Sequence, residues 1–323
     1  MTAGACSAPS SSSAPTAVPA DRPADPARTA SSSGVVVANT RSYPTMLDMT
    51  FPEFEKAIAK TDAMLLPVGA IEAHGPHLPL DTDAAAAVAQ LSYVREKLRL
   101  EGYETVLGPL LNIGITNEAG DRARDRTYMY PGSLTIRFET FVALYVDLLQ
   151  SLRDNGVRRV FLYSGHLGGR HLEAVIAAAQ EASSKIDGLE AYALIDTERL
   201  ERLKVKSDGH ILPIKNGLNF PMLTDLLGKG VEPAYSTHAD GWETSLMLYF
   251  RPDVVRSGYE RLPQSPSSRF FEAVVSGDRS KNPSAMGGFP TDKASAASGK
   301  TIADYRTARI SDAILEILRR DKR

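Results

Sequence analysis

The chain has 323 residues, of which 43% are hydrophobic, so it can bury the core of one large domain or two small ones. Its 37 basic residues nearly balance 39 acidic ones and form no basic run, which argues against nucleic acid or an anionic membrane surface as a partner. Cys6 is the only cysteine, which excludes an intramolecular disulfide and a thiolate zinc site. Catalysis must therefore use oxygen, nitrogen or a metal.

The first 35 or so residues are dominated by Ser, Ala, Pro and Thr. This composition cannot bury enough apolar surface to offset the entropy of ordering, so we predict a disordered tail over residues 1–40 and a folded domain over residues 41–323. The tail lacks the basic start and apolar stretch of a signal peptide, and no later run reaches the roughly 18 apolar residues of a membrane span. We therefore expect a cytoplasmic protein that contacts no membrane, with an organelle-targeting tail as the alternative.

The folded domain begins with an alternation of apolar runs and amphipathic stretches. Residues 63–68 are predicted to form a strand, and the Ala- and Val-rich stretch from Asp83 to about Leu98 a helix. A second strand is predicted near residues 104–107, closed by Gly108-Pro109.

The same alternation continues along the chain. Apolar residues recur at helical spacing from Phe138 to Leu152, Asn155-Gly156 ends that helix, and residues 159–163 read as the next strand. Strands that alternate with helices predict an α/β fold with a mainly parallel central sheet covered on both faces.

Metal-ligand side chains follow two of these strands. Glu72, His74 and Asp83 lie in one loop directly after the first strand, and imidazole with carboxylate suits zinc, manganese or iron better than calcium. His166 follows the strand over residues 159–163. Because ligands collect beyond the carboxyl ends of parallel strands, we predict one composite site from these two loops. His77 and His171, taken alone, read as structural residues.

Four blocks of this sequence resemble the creatininase (creatinine amidohydrolase) family. Residues 67–83 read PVGAIEAHGPHLPLDTD, which is similar to the signature of that family. Residues 130–134 (YPGSL), Gly165-His166 and residues 238–245 (HADGWETS) follow in the family's order. The resemblance runs from about Arg41 to the C-terminus. It implies a three-layer α/β/α sandwich and a metal-dependent hydrolase of carbon–nitrogen bonds in small amides.

The resemblance also implies residue roles. Two divalent ions per chain, zinc, manganese or iron, would be bound, one by Glu72 and His166 and the other by His74, with Asp83 bridging them. A metal-activated hydroxide would attack the substrate carbonyl. His238 resembles the family's general acid/base or oxyanion-polarising histidine.

The second ion lacks a carboxylate ligand, because Gly168 stands where creatininase has a glutamate. Glu243 is the preferred replacement, with Glu118 and Glu173 as alternatives. Glu243 could instead serve only as an acidic residue near a helix N-terminus.

Three further residues are candidates for binding the substrate. Trp242 could form a wall of the substrate pocket, although a single tryptophan is more often a packing residue. Gly132 and Ser133 could offer backbone donors to an oxyanion.

Several departures from the family indicate a substrate other than creatinine. These are Asp81, Ser164 and Asp240, a charged stretch over residues 118–126, and a long loop over residues 208–235. The preferred function is hydrolysis of a cyclic amide, a formamide or a peptide-like small molecule. The alternatives are a lactone or ring-ketone hydrolase and a catalytically silent scaffold.

We also expect a closed homo-oligomer, with a hexamer favoured, because the apolar residues of the loop over residues 208–235 would need a partner surface.

Overall fold

The structure, a computed structural model, describes residues 43–116, 130–206, 208–229 and 238–320. The predicted tail over residues 1–40 and the charged stretch over residues 118–126 lie outside the described residues. No helix within the described ranges is long and apolar enough to cross a membrane.

A five-stranded sheet forms the centre of the described chain. Its strands are β1 (Ala63–Val68), β2 (Val106–Leu107), β3 (Arg159–Ser164), β4 (Glu190–Asp196) and β5 (Ile211–Ile214). They lie in the order β2-β1-β3-β4-β5, and all neighbouring pairs are parallel. This arrangement confirms the predicted parallel sheet.

Helices cover both faces of the sheet. They are α1 (Phe51–Ile58), α2 (Thr82–Leu100), α3 (Phe138–Asp154), α4 (Gly169–Lys185), α5 (Thr197–Leu203), α6 (Phe220–Leu227), α7 (Gly241–Phe250), α8 (Ser267–Ser276) and α9 (Ala296–Leu318). Helices α3 and α4 pack on one face, and α2 and α9 pack on the other. The three-layer α/β/α sandwich is therefore confirmed.

The first strand shows why the sequence folds this way. All six residues of β1 are buried, as is typical of a parallel strand with a helix on each side. Met64 and Leu66 point into the core shared with α3 and α4, whereas Ala63 and Leu65 point into the core shared with α2 and α9. In the neighbouring strand, Ser164 lies in register with Val68. The loops that follow β1 and β3 therefore leave the sheet side by side.

The prediction of an irregular loop over residues 208–235 is wrong for its described part. Ile211, Leu212 and Ile214 belong to the edge strand β5, where they are 2%, 6% and 1% exposed. Leu218 and Leu223, the latter in α6, are buried in a core cluster with Trp242. These apolar residues are buried within one chain, so they supply no argument for a partner surface. The expected oligomer remains a prediction from the family resemblance alone.

Candidate active site

Six metal-ligand side chains converge at the carboxyl edge of the sheet. Glu72 and His74 lie in the loop after β1, and Asp83 lies in the first turn of α2. His166 follows β3, His238 precedes α7, and Glu243 lies in the first turn of α7. The first five of these residues are less than a tenth exposed, and the Glu243 side chain is 19% exposed. Segments far apart in sequence therefore build one buried polar centre, as the position of the strands predicts.

Two groups of side chains share Asp83. His166 Nδ1 lies 2.9 Å from Glu72 Oε2 and 3.3 Å from Asp83 Oδ2. On the other side, His74 Nε2 lies 3.2 Å from Asp83 Oδ1 and 3.7 Å from Glu243 Oε2. Within each group, the ligand atoms all lie within 4.8 Å of one another, which is close enough to hold an ion. The two oxygens of Asp83 therefore face two adjacent candidate sites.

His238 borders the first of these groups. Its Nδ1 lies 4.0 Å from Glu72 Oε2, and its ring stacks on Phe270 with the centroids 4.2 Å apart. Glu72, His74 and His238 form a third set of ligand atoms within 4.8 Å of one another.

Backbone carbonyls orient the three imidazoles of the centre. His74 Nδ1 donates to Glu72 O at 3.0 Å, His166 Nε2 donates to Ile115 O at 3.1 Å, and His238 Nε2 donates to Ala73 O at 2.8 Å. A carbonyl can only accept, so each of these nitrogens carries the proton and the other ring nitrogen is directed at the carboxylates. This arrangement is typical of metal-binding histidines.

Burial and close opposite charges shift the pKa values of the centre. Burial favours neutral His74, but the carboxylates of Asp83 and Glu243 outweigh it and raise the pKa of His74 to about 10. Burial likewise opposes charge on Asp83, yet His74 and His166 hold the pKa of Asp83 well below its ordinary value. Burial, with the negative charge of Asp83, raises the pKa of Glu243 to about 8, although His74 opposes this shift. A bound divalent ion would displace the protons of the two histidines, because a coordinating imidazole must be neutral.

The donor set fits divalent metal ions. Among the described residues, Glu72 Oε2, His74 Nε2 and Asp83 Oδ2 are buried and receive no proton donor when His74 and His166 are neutral, which is costly unless something else satisfies them. All three atoms face the shared centre. Imidazole nitrogen with carboxylate oxygen, and without thiolate, suits zinc, manganese or iron.

His77 and His171 have structural roles, as the sequence suggests. His77 Nε2 donates to Thr244 Oγ1 at 2.7 Å, and burial lowers the pKa of His77 to about 4. His171 Nδ1 accepts from the Ile115 amide at 3.2 Å, so its Nε2 donates to Ser164 Oγ at 3.0 Å. Ser164 Oγ then donates to the His166 backbone oxygen at 2.8 Å. His171 thus supports the loop that carries His166.

Asp240 has a supporting role that the sequence did not reveal. Asp240 Oδ1 caps α7 by accepting from the Trp242 and Glu243 amides at 3.0 and 3.2 Å, and its Oδ2 accepts from the Phe289 amide at 2.8 Å. Glu243 Oε2 in turn accepts from the Ala239 amide at 2.6 Å. Asp240 therefore fixes the turn that presents Glu243.

Two predicted substrate-binding residues lie beside the centre without lining its main cavity. Trp242 is 4% exposed and packs in a core cluster; it borders a smaller pocket with Asp83 and Glu243 but does not line the cavity described below. Ser133 Oγ accepts from the Ala73 amide at 2.9 Å, while the Ser133 amide donates to Tyr130 O at 3.3 Å.

Gly132 and the alternative carboxylates have no observed role in the centre. Gly132 is an exposed residue with φ of 95°. Glu173 pairs with Arg170 at 3.1 Å on α4 and joins none of the metal-ligand groups, and Glu118 lies outside the described residues.

A cavity of about 210 Å³ opens onto the centre. Glu72, Asp83, His166, His238 and Glu243 line its floor. Residues of α5 and α8 form its walls, and none of them belongs to a sequence motif. They are Arg199, Arg202, Phe270, Phe271 and Val274. A larger hollow of about 460 Å³ lies at the opposite end of the sheet beside Asp62 and Arg159, and it contains none of the metal-ligand groups.

Comparisons with known sequences identify relatives of this chain. Residues 47–314 match the sequence profile of the creatininase family, creatinine amidohydrolase. The creatinine amidohydrolase of Pseudomonas putida is 25% identical over 264 residues, which are 81% of this chain and 86% of that protein. The mycofactocin precursor peptide peptidase of Mycolicibacterium smegmatis is 34% identical over 116 residues, which are 36% of this chain and 42% of that protein.

Solved structures share the fold. A mutant creatininase of Zn–Zn type matches with a TM-score of 0.63 at 23% identity, covering 84% of this chain and 97% of that one. The sequence match over residues 47–314 includes all six side chains of the polar centre. The chain therefore belongs to the creatininase family of hydrolases.

Proposed function

We propose that the protein is a metal-dependent amidohydrolase that cleaves a carbon–nitrogen bond in a small amide or peptide-like substrate. One observation carries this proposal: the two oxygens of Asp83 face two separate sets of buried ligand atoms. A single structural ion would not need a shared carboxylate between two sets.

The described ligand groups support a proposal of two ions, with three protein ligands each and Asp83 shared. Glu72, His166 and Asp83 would hold one ion, and His74, Glu243 and Asp83 would hold the other. Divalent ions in such a site lower the pKa of bound water towards about 7 and polarise a carbonyl oxygen. The Zn–Zn type of the solved relative supports zinc as the first metal to test.

His238 is placed to move protons during hydrolysis. Because Nε2 donates to Ala73 O, Nδ1 is the acceptor that faces the cavity floor. Burial lowers the pKa of His238 to about 4, so the imidazole is neutral at physiological pH and can accept a proton. Nδ1 would take a proton as water adds to the amide carbon, and would return it to the nitrogen when the carbon–nitrogen bond breaks.

The names of the relatives support an amide substrate. One relative is an amidohydrolase of creatinine, a cyclic amide, and the other is a peptidase of a precursor peptide. Both activities cleave a carbon–nitrogen bond next to a carbonyl group.

Elemental analysis of a matched pair of variants tests the proposal. The full-length protein is expected to hold close to two zinc ions after reconstitution, and to hydrolyse at least one member of a panel of lactams, formamides and dipeptides. Asp83→Asn should lose metal and hydrolysis together. Asp81→Asn is the control, because Asp81 is two residues away and joins none of the metal-ligand groups in the described chain. Equal zinc loss in both variants, or no zinc in the unmodified protein, would reject the ligand assignment.

A further inference from the structure

Two arginines line the cavity that contains the proposed metal ligands. Arg199 and Arg202 lie three residues apart on α5 and therefore on the same helix face. Arg199 is 7% exposed, whereas Arg202 is exposed near the cavity mouth. The Arg202 guanidinium carbon lies 5.2 Å from the centre of the Phe271 ring, so α5 and α8 meet across the cavity.

With the two proposed divalent ions bound, the charges of this cavity would favour an anionic ligand group. Three carboxylates line its floor, those of Glu72, Asp83 and Glu243. The positive charge of two divalent ions would exceed the negative charge of these three carboxylates. The two guanidinium groups would then increase the net positive charge of the cavity. A guanidinium has five N–H donors in a planar fork that matches a carboxylate, so an intramolecular partner still leaves donors for a ligand.

The opposite wall of the cavity is apolar. It is formed by three residues of α8, which are Phe270, Phe271 and Val274. Phe270 stacks on His238, so the apolar wall begins beside the proposed proton carrier. Phe271 is 38% exposed, so part of its ring is accessible from the cavity that it lines.

We propose that the cavity binds an amide that carries a free carboxylate, and that Arg199 and Arg202 bind this carboxylate. An apolar group of the same substrate packs against Phe270, Phe271 and Val274. The substrate class is thus an N-acyl amino acid or a short peptide with a free C-terminal carboxylate, and not an uncharged cyclic amide. This inference rests on the proposed function for the bond that is cleaved, but the binding step can be measured separately.

Binding of two matched ligands tests the proposal without hydrolysis. The zinc-loaded full chain is titrated calorimetrically with 3-phenylpropanoate and with 3-phenylpropan-1-ol, which share the phenyl group and differ in the carboxylate. The acid is expected to bind roughly tenfold more tightly than the alcohol, as for a charge-assisted hydrogen bond. Arg202→Ala should remove most of this preference, and Arg199→Lys should reduce it because lysine lacks the planar fork.

Two controls separate the arginine contacts from other causes. Lys204→Ala removes the same charge from a neighbouring exposed residue that does not line the cavity, so it should keep the preference for the acid. Phe271→Ala should weaken both ligands by a similar factor, because it removes apolar contact that they share.

The outcomes distinguish this proposal from the hydrolase proposal. An acid preference that survives both arginine substitutions would place the carboxylate elsewhere, for example on zinc, and would overturn the inference. Equal binding of acid and alcohol by the unmodified protein would also overturn it. Zinc content and amide hydrolysis are measured on the same preparations. A failure of the metal assignment would appear as a lack of bound zinc, whereas a failure of this inference would appear as an unchanged or absent acid preference with zinc bound.

Discussion

Replacing Gly165 with alanine should damage the centre without touching any ligand side chain. Gly165 lies between β3 and His166, and a Cβ at this position would lie 2.0 Å from the backbone oxygen of Asp83 and 2.8 Å from its carbonyl carbon. Both contacts are to backbone atoms, which cannot rotate away. The loop after β3 and the start of α2 must therefore separate by roughly 1 Å to reach even a tight van der Waals distance.

A separation of this size would displace Asp83, the carboxylate shared by the two proposed ligand sets. His166 and Asp83 are carried by the two segments that would move apart, and their ligand atoms lie 3.3 Å from each other. Metal–ligand distances tolerate deviations of only about 0.2 Å, so Gly165→Ala should lower zinc content as well as stability. Overpacking typically costs about 1–3 kcal/mol, and each kcal/mol lowers the Tm of a domain of this size by roughly 2–4 °C.

The assay is zinc content by elemental analysis together with Tm by calorimetry. Gly209→Ala is the matched control, because a Cβ at Gly209 would meet nothing within 4 Å. The control should keep both zinc content and Tm. If Gly165→Ala kept the zinc content of the unmodified protein, then the close approach of the loop to Asp83 would not govern the centre, and the reasoning would be refuted.

Three other predictions concern catalysis and assembly. His238→Ala should keep its zinc but lose turnover by roughly 10²- to 10⁴-fold, and full activity in this variant would remove His238 from the mechanism. Because burial lowers the pKa of His238 from 6.5 to about 4, its capacity to accept a proton should be lost only as the pH falls through about 4. An acid limb of kcat/KM near pH 6.5, at constant zinc content, would contradict this. Light scattering should show a closed homo-oligomer, with a hexamer favoured, and a chain that begins at Val36 should keep it, because the Ser/Pro/Ala-rich segment has no apolar face. A monomeric full-length protein would contradict the assembly.

The sequence predicts the sheet and the meeting of the loops after β1 and β3 because both depend on local patterns, whereas His238 and Glu243 were indicated only by the family resemblance. Residues 63–68 form a continuous apolar run, and this run is β1 in the structure. Glu72 and His74 follow it within six residues, and His166 occupies the same position after β3. The parallel sheet then brings these loops together, so the rule that ligands gather at the carboxyl edge is sufficient to predict their meeting.

The failures of sequence reasoning have physical causes. Strand β5 has only four residues and contains Pro213, which weakens the strand signal. Proline is tolerated there because β5 is the edge strand of the described sheet and pairs with β4 alone among the described strands. Trp242 directly precedes Glu243, but adjacent residues on a helix point in different directions. Its side chain therefore enters the core, where it packs near Arg306.

The division between floor and walls explains why the sequence indicates the chemistry but not the substrate. Two of the proposed metal ligands are held by short-range contacts: His74 by the carbonyl of Glu72, and Glu243 by the capped turn at Asp240. Such contacts leave a motif that can be read from the chain, whereas His166 and His238 are held by the distant carbonyls of Ile115 and Ala73. The walls come from helices α5 and α8, whose cavity-lining residues meet only through the packing of distant segments. Changing Arg202 or Phe271 would therefore alter which amide is bound while leaving the ligand set in place, so substrate specificity in this fold can diverge without loss of the hydrolytic centre.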